Sequence, residues 1–361
     1  MTGNGAVHDA ASRPLGSPGR LSEHYDAALL DLDGVIYLGG TPIHGAADAL
    51  AEAVKHRMRL AFVTNNASRS PSAIAAQLSA MGVPATATDI VTSAQAAARL
   101  LAEHLPAGSP VLVVGGMGLR LAIHARGLRP VSAAAERPLA VVQGYAADIT
   151  YRLLAEAALA IDAGALYVAS NVDATLPTTR GPQPGNGSLV QLLVRATGRH
   201  PIVAGKPEPP LHAESVERVG AKRPLIVGDR LDTDIEGAVR GRADSLLVLT
   251  GVSKPIDVLL APAQRRPSYI AANLTGLNVS HPEITQADGA FECGGWRASL
   301  AADPSDWLTV KGAGDPIDGL RALCAAAWSR SAGESHTGDA GTPEGRRKAA
   351  EVVLKTINLA N

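Results

Sequence analysis

The stretch Asp31-Leu32-Asp33-Gly34-Val35-Ile36-Tyr37 decides how this chain is interpreted. It follows residues 25–30, a short and mostly apolar run that predicts a buried strand. Gly34 permits a turn directly after two carboxylates that lie two residues apart. Crowded carboxylates repel one another unless a cation or a proton separates them, and hard oxygen ligands suit Mg²⁺. The stretch therefore predicts a Mg²⁺ site at the carboxyl end of a strand, with an ordinary Asx turn as the alternative.

Length and composition restrict the class of protein. The chain has 361 residues, a net charge of −1 and 46% hydrophobic residues, which is enough for more than one domain. The balanced charge gives no reason to expect a nucleic acid or an anionic membrane surface as a partner. Cys293 and Cys324 form no disulfide framework or metal-binding spacing, although a single bridge stays open, and they favour a cytoplasmic location. Residues 1–22, rich in Gly, Ser, Pro and Ala, predict a disordered lead-in.

Strand and helix patterns alternate along most of the chain. Apolar runs that end in small or polar residues alternate with alanine-rich helical segments, beginning with residues 59–66 and a helix from Ser70-Pro71 to Met81. This order predicts an α/β fold with a mainly parallel sheet and helices on both faces. Beyond about Gly276 the pattern changes to strands over residues 291–300 and 307–310, followed by two helices. This end of the chain is predicted to be a small separate α+β region without a catalytic constellation.

One glycine-rich run is similar to a dinucleotide-binding fingerprint. It reads Val111-Leu112-Val113-Val114-Gly115-Gly116-Met117-Gly118. Taking Gly116 and Gly118 as the first pair puts Leu121 where the third glycine should stand. An incomplete motif is weak evidence, so we interpret the run as a plain turn between a strand and a helix.

Residues whose side chains can take part in catalysis follow four of the predicted strands. They are Asp31 and Asp33, Thr64 and Asn65, Lys206, and Asp229 with Asp234. Because the carboxyl ends of parallel strands meet at one edge of a sheet, we expect these side chains to lie close together. A carboxylate can attack phosphorus, a second carboxyl can protonate the leaving oxygen, and a hydroxyl with an ammonium can hold phosphoryl oxygens. The sequence therefore predicts phosphoryl-transfer chemistry.

The same four motifs carry a family resemblance. They are Asp31-Leu32-Asp33-Gly34-Val35, Thr64-Asn65-Asn66, Gly205-Lys206-Pro207, and Gly228-Asp229 through Asp234. In this order they resemble the haloacid dehalogenase-like hydrolases. Within that family the chain is similar to the subgroup of nitrophenylphosphatases, phosphoglycolate phosphatases, bacterial nucleotide phosphatases and glycerol-3-phosphate phosphatases.

The resemblance covers roughly residues 23–275 and implies a domain organisation. A Rossmann-like parallel-sheet core would comprise residues 23–92 and 200–275, interrupted by a large α/β cap over residues 93–199. Residues 276–361 exceed the usual family length and would form the additional C-terminal α+β domain.

The resemblance also implies the catalytic roles. Asp31 would be the nucleophile that forms an aspartyl-phosphate, and Asp33 the general acid and base. Thr64 and Lys206 would bind the transferring phosphoryl group, with Asn65 as a weaker neighbouring candidate. A dehalogenase does not need the acid supplied by Asp33, so phosphatase chemistry is favoured over dehalogenation.

A Mg²⁺ site is implied by the same motifs. Its ligands would be the carboxylates of Asp31 and Asp229 and the backbone carbonyl of Asp33, while Asp234 would orient its neighbours without binding the metal. Asp232 lies between Asp229 and Asp234, and we interpret it as a helix-capping carboxylate in preference to a ligand.

Two residues of the implied cap are candidate substrate contacts. Asn171 and Asp173 match the cap pattern of the subgroup, although they could equally form an Asx turn. The family often has an acidic residue after the Gly-aromatic pair of the second cap strand, but here Gly144-Tyr145 is followed by Ala146. A substrate contact at that position is therefore not expected.

The function expected from these observations is a cytoplasmic, Mg²⁺-dependent phosphatase of a small phosphorylated metabolite. Glycerol 3-phosphate is the first substrate candidate, and 2-phosphoglycolate and a nucleoside monophosphate are the alternatives. Neither a nucleic acid nor a membrane is expected as a partner, and a homodimer is compatible with the subgroup. A rival of another class is a phosphate-ligand-binding regulator whose C-terminal region is the binding module.

Overall fold

The computed structural model of the protein describes residues 13–176, 180–302, 306–329 and 342–359. In these ranges the strands are β1 (Ala27–Leu30), β2 (Tyr37–Leu38), β3 (Thr41–Pro42), β4 (Arg59–Thr64), β5 (Ile90–Thr92), β6 (Pro110–Val114), β7 (Arg129–Val131), β8 (Ala140–Gln143), β9 (Leu166–Ala169), β10 (Thr175–Leu176), β11 (Gln183–Pro184), β12 (Ile202–Val203), β13 (Pro224–Gly228), β14 (Asp244–Val248), β15 (Tyr269–Ala271), β16 (Thr285–Ala287), β17 (Ala290–Cys293), β18 (Trp296–Leu300) and β19 (Leu308–Gly312). The helices are α1 (Leu21–His24), α2 (Ala46–Lys55), α3 (Pro71–Ala80), α4 (Ser93–His104), α5 (Met117–Ala125), α6 (Tyr151–Asp162), α7 (Asn186–Thr197), α8 (Pro209–Val219), α9 (Glu236–Arg240), α10 (Pro255–Leu259), α11 (Pro316–Trp328) and α12 (Pro343–Thr356).

Two parallel sheets form the α/β part of the molecule. The first has the strand order β15-β14-β13-β1-β4-β5, and the second has the order β12-β9-β8-β6-β7. Every pairing between neighbours in these two sheets is parallel. An antiparallel sheet, β16-β17-β18-β19, accompanies α11 and α12 at the C-terminal end. The predicted α/β class with an additional α+β region is confirmed, while the domain boundaries stay a prediction.

Strand β1 lies at the centre of the first sheet because both of its faces are covered. All four of its residues are buried. Ala28 and Leu30 pack into one hydrophobic cluster together with Leu50 of α2, while Leu29 faces a second cluster that includes Leu211 of α8. Full burial of a leucine side chain contributes about 2 kcal/mol. This packing fixes β1 in place, so the polar residues after Leu30 emerge at the carboxyl edge of the sheet.

A side-chain cap sets the start of α3. The predicted start of α3 is confirmed, since the Ser70 side chain accepts a hydrogen bond from the backbone N–H of Ala73 at 3.3 Å. The strands predicted over residues 291–300 and 307–310 are present as β17, β18 and β19, and the chain turns back between β17 and β18. Gly294 and Gly295 form that hairpin with φ angles of +52° and +86°, which side-chain-bearing residues rarely adopt.

The predicted disordered lead-in is wrong for residues 13–22, and residues 1–12 lie outside the described part of the chain. The backbone of Ser17 forms a bridge with His281, and the N–H of Leu15 donates to the carbonyl of Ser268 at 2.7 Å. Leu21 is completely buried. Composition missed this segment because its order depends on one apolar side chain and on backbone partners more than 200 residues away in the sequence.

The additional C-terminal region packs against the first sheet. Leu247 of β14 and Ile270 of β15 share a single hydrophobic cluster with Leu320 and Leu323 of α11. The guanidinium of Arg321 donates to the carbonyl of Ile270 from Nε at 3.2 Å and from Nη2 at 2.5 Å. Helix α11 therefore covers one face of this sheet, because an apolar sheet face must be buried against another element.

The described residues show the state of the two cysteines and whether any helix could span a membrane. Cys293 and Cys324 are both buried free thiols, so no bridge joins them. No helix in the described ranges combines the length and the apolar character that crossing a membrane requires.

Buried His281 should make the folded state sensitive to acid. Its Nδ1 lies 2.8 Å from Nη2 of Arg321, its Nε2 lies 2.8 Å from the carbonyl of Gly276, and the ring of Tyr269 packs edge-on against it. Burial, reinforced by the positive charge of Arg321, lowers the pKa of His281 to about 4. An unfolded histidine titrates near pH 6.5. Between pH 6.5 and pH 4 this histidine is protonated in the unfolded chain but neutral in the folded chain. The free energy of unfolding must therefore fall as the pH falls.

We expect the free energy of unfolding to decrease by about 2–3 kcal/mol between pH 6.5 and pH 4 through this group. Urea denaturation across that range measures it. His281→Asn should flatten the pH dependence, because an amide oxygen can still accept from Arg321 but cannot titrate. The exposed His200→Asn is the matched control and should leave the curve as in the wild type. Equal slopes for His281→Asn and the wild type would contradict the prediction.

Candidate functional site

The predicted chemical residues meet at one cavity. Asp31 follows β1, Thr64 ends β4, and Asp229 follows β13, all at the carboxyl edge of the first sheet. Together with Lys206 they line a cavity of about 220 Å³. Its other wall comes from loops next to the second sheet, including Tyr145, Asn171, Asp173, Thr175, Leu176 and Asn186. The parallel arrangement of the strands therefore brings residues about 200 positions apart into one site.

Asp229 offers a buried acceptor that no described residue satisfies. The side chain is 0% exposed; its Oδ2 accepts from the N–H of Val252 at 2.6 Å, whereas its Oδ1 has no hydrogen-bond partner. Gly34, with a φ angle of +86°, and Gly251 both approach the carboxylate so closely that a Cβ at either position would overlap it. The backbone thus closes around Asp229 and leaves one oxygen directed at the cluster.

Three carboxylates form a cluster that includes Asp229. Asp31, Asp229 and Asp234 each contribute a carboxylate oxygen, and the three oxygens lie within 4.8 Å of one another. Burial raises the pKa of both Asp31 and Asp229, and the charge of Asp234 raises each further, with Lys206 opposing the shift. A hard divalent cation fits this donor set because it supplies the positive charge that the carboxylates lack.

Lys206 provides a permanent positive charge beside the cluster. It is 3% exposed, and its Nζ donates to Oδ1 of Asp234 at 2.7 Å, to the carbonyl of Val63 at 3.2 Å, and to Asp31. Burial alone would lower the pKa of Lys206, but the carboxylates of Asp234 and Asp31 outweigh it and raise that pKa. The ammonium is therefore charged at neutral pH and held next to Asp31.

Asp33 and Thr64 present groups that can exchange or donate a proton. Partial burial raises the pKa of Asp33, opposed by a hydrogen bond from the N–H of Gly39 at 3.4 Å. A raised pKa suits a carboxyl that must carry a proton for part of a reaction. The Oγ1 of Thr64 accepts from the N–H of Asn66 at 3.1 Å, which leaves its own hydrogen free to be donated in the cavity.

Asn65 is engaged by the protein and has little capacity left for a ligand. Its Oδ1 accepts from the N–H of Lys206 at 2.8 Å, and its Nδ2 donates to Oδ2 of Asp173 and to the carbonyl of Lys206, both at 3.2 Å. The amide thus joins the loop that carries Lys206 to the opposite wall of the cavity. This geometry favours a bridging function for Asn65 over direct contact with a phosphoryl group.

Asn171 and Asp173 combine the two alternatives that the sequence left open. The N–H of Asp173 donates to Oδ1 of Asn171 at 3.2 Å, which is the hydrogen bond of an Asx turn. The same turn lines the cavity, and Nδ2 of Asn171 donates to the backbone carbonyl of Asn65 at 2.7 Å. The turn therefore places both side chains at the contact between the two walls.

The interpretation of Asp232 as a helix cap is wrong. Its carboxylate pairs with Arg230, with Nε and Nη2 at 3.0 and 2.8 Å, and it caps no helix. Asp234 instead accepts from the N–H of Arg230 at 3.2 Å as well as from Lys206. The segment forms a short π-helical turn over residues 231–235, and this geometry rather than the sequence spacing decides which carboxylate faces the cluster.

Several residues of the cavity carried no signal in the sequence. They are Thr175, Leu176, Asn186, Arg230 and Thr233. Arg230 and Thr233 could have been found from their positions inside the motif of residues 228–234, but Thr175, Leu176 and Asn186 lie outside every motif. Asn186 is 1% exposed and holds the carbonyl of Asn171 at 2.7 Å, so it supports the Asx turn from behind.

Comparison with family models divides the chain into three matched segments. Residues 28–129 match a haloacid dehalogenase-like hydrolase model, and residues 203–277 match a second hydrolase model of the same kind. Residues 293–352 match a GCN5-related N-acetyltransferase-like domain. The first two segments contain all four predicted motifs in full, from Asp31 to Asp234.

Known proteins similar to this chain are phosphatases. The D-glycerol 3-phosphate phosphatase of Mycobacterium tuberculosis is 45% identical over 319 residues, which cover 88% of this chain and 89% of that protein. An acid sugar phosphatase of Staphylococcus saprophyticus is 37% identical and covers 65% of this chain and 91% of its own length. A crystal structure of the glycerol phosphate phosphatase of M. tuberculosis in complex with magnesium superposes with a TM-score of 0.80 at 42% identity, covering 94% of this chain and 99% of that one.

Proposed function

The chain belongs to the haloacid dehalogenase-like hydrolases, and on that premise we propose that it is a Mg²⁺-dependent phosphatase of glycerol 3-phosphate. The observation that carries the proposal is the ion pair of Lys206 with Asp31 and Asp234, directly beside the unpartnered Oδ1 of Asp229. A carboxylate, an ammonium and a carboxylate oxygen without a hydrogen-bond partner thus lie in a single cavity. The relative with 45% identity supports the substrate, because it is a D-glycerol 3-phosphate phosphatase.

Mg²⁺ would be held by the carboxylates of Asp31 and Asp229 and by the backbone carbonyl of Asp33. When bound, it would neutralise the carboxylate cluster and stabilise negative charge on the phosphoryl oxygens. Asp234 would stay outside the metal shell, because both of its oxygens already accept hydrogen bonds from Lys206 and Arg230.

Catalysis would proceed in two steps on the residues of this chain. The Asp31 carboxylate would attack phosphorus and form an aspartyl-phosphate, while Asp33 donates its proton to the leaving alkoxide. Asp33 would then take a proton from water, which attacks the aspartyl-phosphate and releases inorganic phosphate. The Thr64 hydroxyl and the Lys206 ammonium would bind the phosphoryl oxygens through both steps.

The cavity wall opposite the carboxylates would select the substrate. With a volume of about 220 Å³, the cavity suits a small phosphomonoester. Its polar groups, Asn171, Asp173, Thr175 and Arg230, could bind the hydroxyls of a glycerol moiety. 2-Phosphoglycolate and nucleoside monophosphates are the competing substrates, and Tyr145 is the side chain on which a base could stack.

The rival hypothesis, a regulator that binds its ligand through the C-terminal region, finds little support. A glycine-rich loop before a helix can bind an anion, and residues 312–314 precede α11. Here Oδ1 of Asp315 already accepts from the N–H of Ile317 at 2.9 Å, and Asp318 adds a second carboxylate in the first turn. Two negative charges at this helix start disfavour a phosphate-bearing ligand.

A cytoplasmic location and a homodimer complete the proposal. The two free buried thiols support a reducing compartment. The homodimer stays a prediction. Size-exclusion chromatography with light scattering tests the assembly.

Phosphate release from a panel of phosphomonoesters tests the function. The panel should contain both enantiomers of glycerol 3-phosphate, 2-phosphoglycolate, a sugar phosphate and nucleoside monophosphates, each with Mg²⁺ and with a chelator. We expect Mg²⁺-dependent release, fastest from glycerol 3-phosphate. Faster release from another member would replace the substrate, and no release from any member would refute the reaction class.

Mg²⁺ should also stabilise the folded protein. Because the site exists only in the folded chain, Mg²⁺ at 100 times its Kd should add about 2.7 kcal/mol to the free energy of unfolding. Differential scanning fluorimetry should therefore record a higher Tm with MgCl₂ than with KCl of equal ionic strength. Asp229→Asn should abolish the difference, whereas Asp48→Asn, on the exposed side of α2, should keep it. An equal Tm shift in both variants would contradict the assignment of Asp229.

A further inference from the structure

The glycine-rich run at residues 115–118 lies where α5 meets the loop that follows β4. The N–H of Gly118 donates to the carbonyl of Ser68 at 3.1 Å. A Cβ at position 118 would lie 2.6 Å from the carbonyl oxygen of Arg69 and 2.8 Å from that of Ala67. Real Cβ atoms do not approach so closely, and backbone oxygens cannot rotate away as a side chain can. Glycine therefore permits this contact between the helix and the loop.

The 64–69 loop consists of Thr64, which ends β4 and is the proposed phosphoryl-binding residue, and the five residues after it. Residues 64–67 line the cavity, and within the loop the N–H of Asn66 donates to Oγ1 of Thr64. Asn171 Nδ2 holds the carbonyl of Asn65 at 2.7 Å. The chain between β5 and β13 thus contacts the 64–69 loop at two points. Asn171 contacts the loop near its start, and Gly118 contacts it near its end.

We propose that Gly118 is a positioning residue that seats α5 on the 64–69 loop and thereby fixes the hydroxyl of Thr64 for phosphoryl transfer. The glycine-rich run is then a docking contact for the catalytic loop, and it binds no nucleotide. The proposal rests on the proposed function, because it assigns Thr64 to the transferring phosphoryl group. It extends that function by making the conformation of the loop depend on the seating of a helix outside the first sheet.

Gly118→Ala isolates the contact, because alanine favours a helix more than glycine does and the side chain adds a single methyl group. The methyl group must displace the loop or the helix. We expect kcat to fall about tenfold or more while KM changes little, since a hydroxyl that stabilises transition-state charge acts mainly on kcat. The rise in Tm caused by Mg²⁺ should be retained, because Asp31 and Asp229 follow β1 and β13 and not β4.

The matched control is Gly19→Ala. Position 19 lies outside the left-handed region, and its nearest neighbour to an added Cβ is the Glu23 carboxylate at 3.8 Å. This variant should have the wild-type kcat and Tm. A double-mutant cycle of Gly118→Ala with Asn171→Ala should be non-additive in kcat, because both changes act on the same loop.

A kcat equal to that of the wild type in a folded Gly118→Ala variant would overturn the proposal. Loss of the Mg²⁺-dependent rise in Tm would also overturn it, because the substitution would then disturb the whole site and not only the loop. If Gly118→Ala does not fold, Gly116→Ala replaces it, because a Cβ there lies 3.2 Å from the Ser68 carbonyl oxygen and requires only a small shift. A folded Gly116→Ala variant with reduced kcat then supports the proposal, and unchanged kcat overturns it. An inactive wild type would instead refute the proposed function, so the two failures are distinguishable.

Discussion

Replacement of Asp31 by Asn is expected to reduce phosphate release by about three orders of magnitude or more, because a carboxamide cannot form the aspartyl-phosphate. The substitution keeps the size and planarity of the side chain, although the ion pair of Asp31 with Lys206 is lost. The fold should persist, and circular dichroism should be that of the wild type. The measurement is inorganic phosphate release from glycerol 3-phosphate under saturating Mg²⁺.

Two further variants sharpen the assignment. Asp48→Asn removes a carboxylate from the exposed side of α2 and should leave kcat unchanged. Asp33→Asn should also be slow, because the leaving alkoxide loses its proton donor, but rapid acid quenching with a better leaving group should still trap a phosphorylated enzyme. Trapped phosphoenzyme in Asp31→Asn, or turnover near that of the wild type, would refute Asp31 as the nucleophile.

Replacement of Arg321 by Met is expected to lower the free energy of unfolding by about 3–5 kcal/mol, because the change leaves the carboxylate of Asp318 buried without its partner. Arg321 is 6% exposed and Asp318 is 7% exposed. The guanidinium contacts Asp318, the carbonyl of Ile270 and the ring of His281, so it ties α11 to β15. Loss of these contacts should loosen the layer that covers the first sheet.

Urea denaturation measures the effect, with Arg347→Met as the matched control. Arg347 lies on α12 with its side chain 55% exposed and 4.0 Å from Glu351, so its replacement should change stability by no more than about 0.5 kcal/mol. Combining Arg321→Met with Asp318→Asn should recover part of the loss, because the stranded charge is removed. Equal stability of Arg321→Met and Arg347→Met would contradict the proposed anchoring of the C-terminal region.

The sequence indicated a function for Asp31 but gave no sign that Arg321 is buried. Asp31 stands directly after a buried strand, and such a position is set by local pattern alone. Arg321 lies in an alanine- and leucine-rich helix, where nothing in the sequence distinguishes it from a surface arginine. Its burial depends on a carbonyl of β15 that is 51 residues away.

Lys206 follows β12 of the second sheet and not, as predicted, a strand of the same sheet as the others. The sequence by itself determined the α/β class and the three strand ends that carry Asp31, Thr64 and Asp229. These are consequences of short-range physics, because apolar runs form buried strands and the topology of parallel sheets brings their carboxyl ends to a common edge. The tertiary structure decided how the remaining groups are used. Asn65 spends its amide on Lys206 and Asp173, and Gly118 permits α5 to contact the loop after β4. Such contacts depend on distances between segments far apart in the chain, and neither composition nor local periodicity encodes those distances.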